Sequence, residues 1–291
     1  MIYDTPRFMP GGDRYIEVEL GDEMSFDLNF LVHSLCALIR QSGLTGVIEL
    51  IPELASFQVS YDPDRISFDD LTREIAALHG QCAGAEDAEL PSRLYTVPVV
   101  YFDQWTKACI ADYQAKVTGK TYDPELVCEL NGLSGLPALQ RLHSSSEYWV
   151  AALGFWPGLC SLMPLDPRAR LFAPKYNPPR TWTPKGTIGM GGALTCIYPD
   201  QTPGGYQLLG RTPMPIWDRE QRLRAFRHDL ALFRPGDRVR FVPVGLDEYE
   251  WIEARVADGS YEHPEVGYQK FSVGAYRKWL AGIEAVKETA R

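Results

Sequence analysis

Apolar and polar positions first alternate at Tyr15–Leu20, where Ile16, Val18 and Leu20 fall on one side and Glu17 and Glu19 on the other. That period of two predicts a half-buried strand. A helical period follows over Leu28–Arg40, with Leu31, Leu35, Leu38 and Ile39 on one face. Ser25 or Asp27 stands where a cap is needed at its start, and Gly43 ends it. Gly46–Ile51 and Phe57–Tyr61 read as strands around the turn at Pro52, and Ser67 caps a helix over Phe68–His79 striped by Phe68, Leu71, Ile75 and Leu78. The small, acidic stretch Gly80–Pro91 reads as a surface loop, and Arg93–Tyr101 as a closing strand. The order β-α-β-β-α-β predicts a ferredoxin-like α+β domain over residues 1–100.

From Trp105 the texture changes. Helices are expected at Trp105–Val117 and Pro137–Leu142. Beyond Glu147, prolines from Pro157 to Pro215 are too dense for long helices and leave short strands broken by ordered loops. A β-barrel or sandwich is therefore expected over residues 101–291, with a helical connector before it. Arg234–Pro243 reads as a turn and a strand. Phe271–Lys287 reads as a terminal helix carrying Tyr276, Leu280, Ile283 and Val286 on one face.

Composition narrows the function classes. The 291 residues are 45% hydrophobic and 23% charged, an ordinary globular balance. Lysine and arginine number 29 against 38 acids, a net charge of −9. That balance argues against a general nucleic-acid binder. No apolar run is long enough for a membrane span, and Met1–Gly12 lacks the pattern of a signal peptide. Six scattered cysteines form no Cys-x-x-Cys and read as reduced and buried, as in a cytoplasmic protein.

The informative chemistry lies between Leu153 and Asp218. Gly189-Met-Gly-Gly192, Thr202-Pro-Gly-Gly-Tyr-Gln207 and Gly210-Arg-Thr-Pro213 supply glycines that let backbone approach another group closely. Arg168, Arg170, Lys175, Arg180, Lys185 and Arg211 supply cations suited to a carboxylate or phosphate. Two readings stand. The glycines and prolines turn the corners of a barrel while the arginines pair with surface carboxylates, or the amides and cations together hold an anion. His143, at a helix end before Ser144, reads either as a general base or as a cap on the last carbonyls. No His-x-x-x-His occurs and the five histidines do not cluster in sequence, so no metal site is expected. Gly189–Gly192 is not a dinucleotide fingerprint, and no P-loop is present.

The string Pro203-Gly-Gly-Tyr-Gln-x-x-Gly-Arg-Thr-Pro213 resembles a known family, and so do Gly154-Phe-Trp-Pro-Gly158, Lys175-Tyr-Asn-Pro-Pro-Arg-Thr181 and Pro215-Ile-Trp-Asp218. It is the allophanate hydrolase subunit 1 family. That family includes the B component of 5-oxoprolinase, the sporulation-kinase inhibitor KipI and part of the carboxyltransferase domain of urea carboxylase. The resemblance covers nearly the whole chain, and the C-terminal motifs are closest to urea carboxylase. It implies a ferredoxin-like N-terminal domain and a cyclophilin-like β-barrel. It also implies a homologous partner of the subunit 2 type that completes the active site.

In urea carboxylase these halves move a carboxyl group from carboxybiotin to a urea nitrogen. The chain lacks a Met-Lys-Met biotin-attachment site and any ATP-grasp-sized region. It is therefore expected to be inactive alone, with a biotin carboxylase and a biotin carrier as further partners. On this reading the chain binds no cofactor covalently, the carrier delivers carboxybiotin and a partner uses the ATP. Residue type and motif position assign His143, Arg180, Lys175 and Tyr198 to catalysis. They assign Gly191, Gly192, Gly204, Gly205, Tyr206, Gln207 and Arg211 to substrate or carboxybiotin contacts. Two alternatives remain beside it. One is the B component of an ATP-dependent 5-oxoprolinase, which works with an amidohydrolase-like subunit and no biotin. The other is a KipI-like kinase-inhibitory binding protein.

Overall fold

The computed structural model describes residues 1–82, 88–267 and 269–289. The chain divides into two compact units, one of Met1–Ser92 with Lys270–Arg291 and one of Arg93–Gln269.

The first unit begins with strands β1 (Ile2–Pro10) and β2 (Tyr15–Gly21), helix α1 (Phe26–Ser42), strands β3 (Val47–Pro52) and β4 (Ser56–Tyr61), helix α2 (Phe68–Cys82) and the short β5 (Glu89–Pro91). The alternation in β2 does what it predicts, burying Ile16, Val18 and Leu20 completely. Ser25 caps α1 by accepting from Leu28 N at 3.3 Å, and Gly43 closes it in the left-handed region at φ 61°. Ser67 caps α2, accepting from Asp70 N at 3.1 Å. The apolar faces of α1 and α2 meet Phe57 and Val59 of the sheet in one core. Of the loop expected at Gly80–Pro91, Gly80–Cys82 continue α2, Glu89–Pro91 form β5, and residues 83–87 lie outside the described residues.

The antiparallel sheet runs β1-β2-β4-β3. A ferredoxin-like unit places its last strand beside its first, and here β1 holds that edge, pairing Phe8 with Val18. The strand expected there, Arg93–Tyr101, is a correction. It forms β6 (Leu94–Tyr101) in the second unit. The reason is burial on both faces. Leu94, Tyr95, Val97, Val99 and Tyr101 are all buried, more than a sheet with one open face can cover.

The second unit continues with helices α3 (Gln104–Lys116), α4 (Asp123–Leu130) and α5 (Leu136–Ser144) and strands β7 (Glu147–Leu153) and β8 (Cys160–Pro164). Strands β9 (Thr187–Gly191), β10 (Leu194–Ile197), β11 (Gln207–Arg211) and β12 (Arg238–Pro243) follow, then α6 (Leu246–Ala257) and β13 (Glu265–Val266). Seven strands close in the order β11-β9-β10-β8-β7-β12-β6, and β11 returns to β6 through Gly210↔Tyr101 and Arg211↔Val100. Closure depends on Gly210, because a Cβ there would stand 2.6 Å from Val100 O. Val97, Val150, Leu162, Ile188, Ile197 and Phe241 fill the barrel core. Cys109 and Ile110 of α3 cover a neighbouring patch with Cys196, Tyr198 and Leu208. All six cysteines are buried and free.

After the barrel the chain returns to the first unit. Strand β14 (Lys270–Ser272) pairs with β5, and helix α7 (Val273–Thr289) follows. The helix expected to close the barrel domain is thus a second correction. Tyr276 packs edge-on against Phe26 and Phe30 of α1, and Arg277 meets Asp27 at 2.7 Å. The side chain of Val286 lies outside the described residues. Among the described residues no helix is long and apolar enough to cross a membrane. The fold class is α+β, with a ferredoxin-like unit and a closed β-barrel.

Candidate functional site

The glycine motifs fold around two tyrosines. A Cβ on Gly191 would stand 2.5 Å from Tyr206 Cδ1, and a Cβ on Gly204 would collide with the Tyr198 hydroxyl. The same backbone is already hydrogen-bonded. Gly192 exchanges both bonds with Ala173, Gly204 exchanges both with Arg180, and Gly205 O accepts from Tyr176 N at 2.6 Å. The expectation that Gly192 and Gly204 offer free amides to a ligand is corrected, since β-bridges use those amides.

Arg180 is 2% exposed, which removes the reading of a surface ion-pair residue. Its Nη1 donates to Tyr206 O at 2.7 Å, and its Nε and Nη2 donate to Thr183 Oγ1 at 3.3 and 3.2 Å. Nη2 also reaches the Tyr198 hydroxyl at 3.5 Å. The guanidinium lies 4.4 Å from the Tyr176 ring centre and forms no ion pair among the described residues. These donors bind protein oxygens, so Arg180 ties the 173–183 segment to the Tyr198–Tyr206 segment. That arrangement does not present the planar fork to a carboxylate, contrary to expectation.

Two residues not singled out in the sequence complete this cluster. Asp123, fully buried at the start of α4, accepts from Lys120 Nζ, from Tyr176 OH at 2.5 Å and from Leu208 N at 2.7 Å. Lys120 Nζ also donates to Gln207 Oε1 at 2.7 Å and lies 3.6 Å from the Tyr176 ring centre. Burial pulls the Lys120 ammonium below its usual range while Asp123 opposes that shift. Gln207 Nε2 donates to Pro174 O at 2.6 Å. Gln207 is thus satisfied internally, and it holds the Pro174–Lys175 segment rather than a ligand.

His143 is the clearest correction. Residing at the end of α5, it plugs the barrel, touching Tyr101 of β6, Tyr148 of β7, Thr195 of β10 and Phe241 of β12. Nδ1 bonds the Tyr101 hydroxyl at 2.7 Å and Nε2 the Thr195 hydroxyl at 3.3 Å. Burial drives its pKa down to about 3, so the ring is neutral near pH 7. A neutral imidazole sealed in a core is a packing group and has no access to a substrate proton.

A cavity of about 160 Å³ opens to solvent in the barrel unit. Tyr198 and Arg211, both expected in the site, line it with Lys185, Gly186, Tyr249 and Glu253, over a floor that includes Met214, Ile216 and Val256. Arg211 Nε donates to Lys185 O at 2.7 Å. Its guanidinium lies 4.8 Å from the Trp105 ring centre and 5.5 Å from that of Tyr249. Its terminal nitrogens meet no hydrogen-bond acceptor among the described residues. Tyr249 OH donates to Glu253 Oε1 at 3.4 Å. Burial pushes the Tyr198 phenol well above its ordinary range, so it remains a neutral donor. Lys175 is exposed elsewhere, its Nζ 5.3 Å from the centre of the half-buried Tyr206 ring, and does not line this cavity. Sequence reasoning missed Tyr249 and Glu253, which a weak helical signal in Leu246–Ala257 could have flagged. Among the described residues no group of three or more His, Cys, Asp or Glu could hold a metal ion.

Comparison with known proteins agrees with this architecture. The chain is similar to the urea amidolyase of Saccharomyces cerevisiae, 31% identical over 97% of this chain and 15% of that protein. It is likewise similar to the B component of Bacillus subtilis 5-oxoprolinase, 31% identical over 82% of this chain and 92% of that component. The crystal structure of Kluyveromyces lactis urea carboxylase superimposes on 99% of this chain with a TM-score of 0.85 at 25% identity, using 26% of that chain. The chain therefore spans about a sixth of the urea amidolyases and a quarter of the urea carboxylase it matches. Residues 6–226 match the family described as carboxyltransferase domain, subdomain C and D, and the chain belongs to that family.

Proposed function

We propose that the chain is one half of a biotin-dependent carboxyltransferase of the urea carboxylase type. It acts on urea or a related amide or amidine nitrogen, together with a subunit 2-type partner. The observation that carries this reading is the superposition on urea carboxylase over 99% of the chain, which includes the segment returning to the first unit. The cavity beside Tyr198 and Arg211 fits the end of the group to be handled. Its volume is close to that of a cavity of about 150 Å³ that takes a benzene-sized ligand. It therefore suits a ureido ring or a urea and excludes a whole biotinyl arm. Lys185 and Arg211 stand on its rim as donors for oxygen, and Glu253 as an acceptor for N–H.

Carboxybiotin, brought by a separate carrier, supplies a carboxyl group on a ureido nitrogen. The role of this chain is positioning. Arg211, held by Lys185 O and by its two aromatic neighbours, keeps a fixed charge where oxygen charge develops. Tyr198 lines the same cavity, and its hydroxyl is held by Arg180 Nη2 at 3.5 Å. Holding one reacting group in a fixed place lowers the entropic part of the barrier for a poorly nucleophilic nitrogen.

A second reading, the B component of a 5-oxoprolinase, draws on the match to 92% of the Bacillus subtilis protein. One experiment separates the two. The chain is reconstituted either with a subunit 2-type protein, a biotinylated carrier and a biotin carboxylase, or with an amidohydrolase-like oxoprolinase subunit. ATP turnover is then measured with urea, guanidine, small amides and 5-oxoproline. Biotin-dependent turnover with urea or an amide supports the first reading. Turnover with 5-oxoproline and without biotin replaces it by the second. Turnover by the isolated chain refutes the subunit role in both.

A further inference from the structure

The chain carries a net charge of −9, yet one short stretch runs the other way. From Arg219 to His228 stand four arginines and a single carboxylate, Glu220, with Asp218 and Asp229 at the two ends of the stretch. They form the crown of a loop closed by the Trp217–Ala231 bridge and by Asp218 N donating to Leu230 O at 3.0 Å. Such closed surface loops hold their shape through their own side chains. Leu223 and Phe226 are sunk into the barrel core. The Asp218 carboxylate accepts from Glu220 N at 3.0 Å and from Arg222 N at 2.9 Å. Gln221, in the left-handed region at φ 53°, donates from Nε2 to Phe226 O at 2.6 Å. The loop is therefore ordered before anything binds to it, which removes a large part of the entropic penalty of association.

All four arginines of the crown are exposed. Arg222 meets Glu220 at 3.3 Å and Arg224 meets Glu262 at 3.9 Å, both open surface pairs. Arg219 and Arg227 meet no carboxylate among the described residues. We propose that this loop is a docking surface for an acidic protein partner. Guanidinium forks match carboxylates at two points, and a rigid basic patch on an acidic chain steers one orientation of approach. Four arginines on one short loop that also carries Asp218, Glu220 and Asp229 do not form the extended basic stripe that a phosphate backbone calls for. A membrane surface would call for apolar residues on the crown, and Leu223 and Phe226 are turned inward.

The test uses the full chain and labelled poly-L-glutamate as probe, followed by fluorescence anisotropy at low and high salt. The wild type is expected to bind saturably at low salt and to weaken as salt rises. Arg219→Glu with Arg227→Glu is expected to weaken binding by about tenfold or more. The milder Arg219→Gln with Arg227→Gln should lose less while keeping the wild-type thermal midpoint, which separates lost charge from lost fold. Lys107→Glu with Arg141→Glu, exposed cations elsewhere in the barrel unit, should leave binding unchanged. The proposal is overturned if poly-L-glutamate does not bind, or if both reversed pairs weaken it equally. It is also overturned if a DNA duplex or phosphatidylserine vesicles bind as tightly through the same arginines.

Discussion

His143→Gln tests the core-packing role of this histidine against the general base expected from the sequence. In the folded chain the ring takes a proton only near pH 3, because burial disfavours the charged form. In the unfolded chain it does so near pH 6.5, so the unfolded state holds more protons between those values. Stability therefore falls as pH drops through that window. One unit below 6.5 the loss is about 1.4 kcal/mol, and at pH 4.5 about 2.7 kcal/mol. Glutamine keeps a hydrogen-bonding group facing Tyr101 and Thr195 but cannot titrate. At pH 7.5 the variant should be less stable by about 1–2 kcal/mol, from lost stacking on Phe241. That gap should close and reverse by pH 4.5. Burial lowers the pKa of His79 and His263 as well, but both chains share those contributions. The assay is urea unfolding of wild type and variant across pH 4.5–7.5. Parallel curves would refute a neutral core imidazole. In the reconstituted complex the variant should keep kcat/KM close to wild type, where a lost general base would cost about 10²–10⁴-fold.

Arg180→Lys should lower the stability of the chain by about 2–4 kcal/mol in denaturant titrations, since a shorter, single-point cation cannot serve Tyr206 O and Thr183 together. Unchanged unfolding would show that these contacts carry little. Gly191→Ala should cost about 1–3 kcal/mol and alter the near-UV dichroism of the tyrosines, because its Cβ meets the Tyr206 ring. Arg211→Gln should leave the thermal midpoint nearly unchanged and lower kcat/KM of the assembled complex by about 10²–10³-fold. Wild-type turnover would remove Arg211 from the site.

Local periodicity made much of the first unit legible. Ser25, Gly43 and Ser67 are short-range signals, and each cap is where the spacing placed it. Strand β1 gave no such signal, because Pro6 and Pro10 and its mostly exposed residues blur the alternation. Leu94–Tyr101 was legible as a strand but not in its partners. Periodicity reports a two-faced apolar element and is silent on which distant segment covers it. The glycine motifs were visible as motifs, but their purpose depends on pairs apart in sequence, such as Gly191 with Tyr206. Lys120 and Asp123 left no trace at all, since a buried ion pair reads like any surface charge until the fold encloses it. Arg211 and Tyr198 came out of the motif and do share a cavity, whereas His143 and Lys175 do not line it.

The return of β14 and α7 to the first unit has a consequence for synthesis. Translation proceeds at roughly 5–20 residues per second, so the last piece of that unit emerges on the order of 10–30 s after Ser92. In that interval the barrel segment is made in full, while Phe26 and Phe30 lack the Tyr276 ring that later packs on them. The nascent unit therefore shows aromatic surface to the ribosome exit and to any chaperone there for the whole time. Deleting the final twenty residues would extend that exposure indefinitely, and the damage would surface near the N-terminus rather than at the site of the cut.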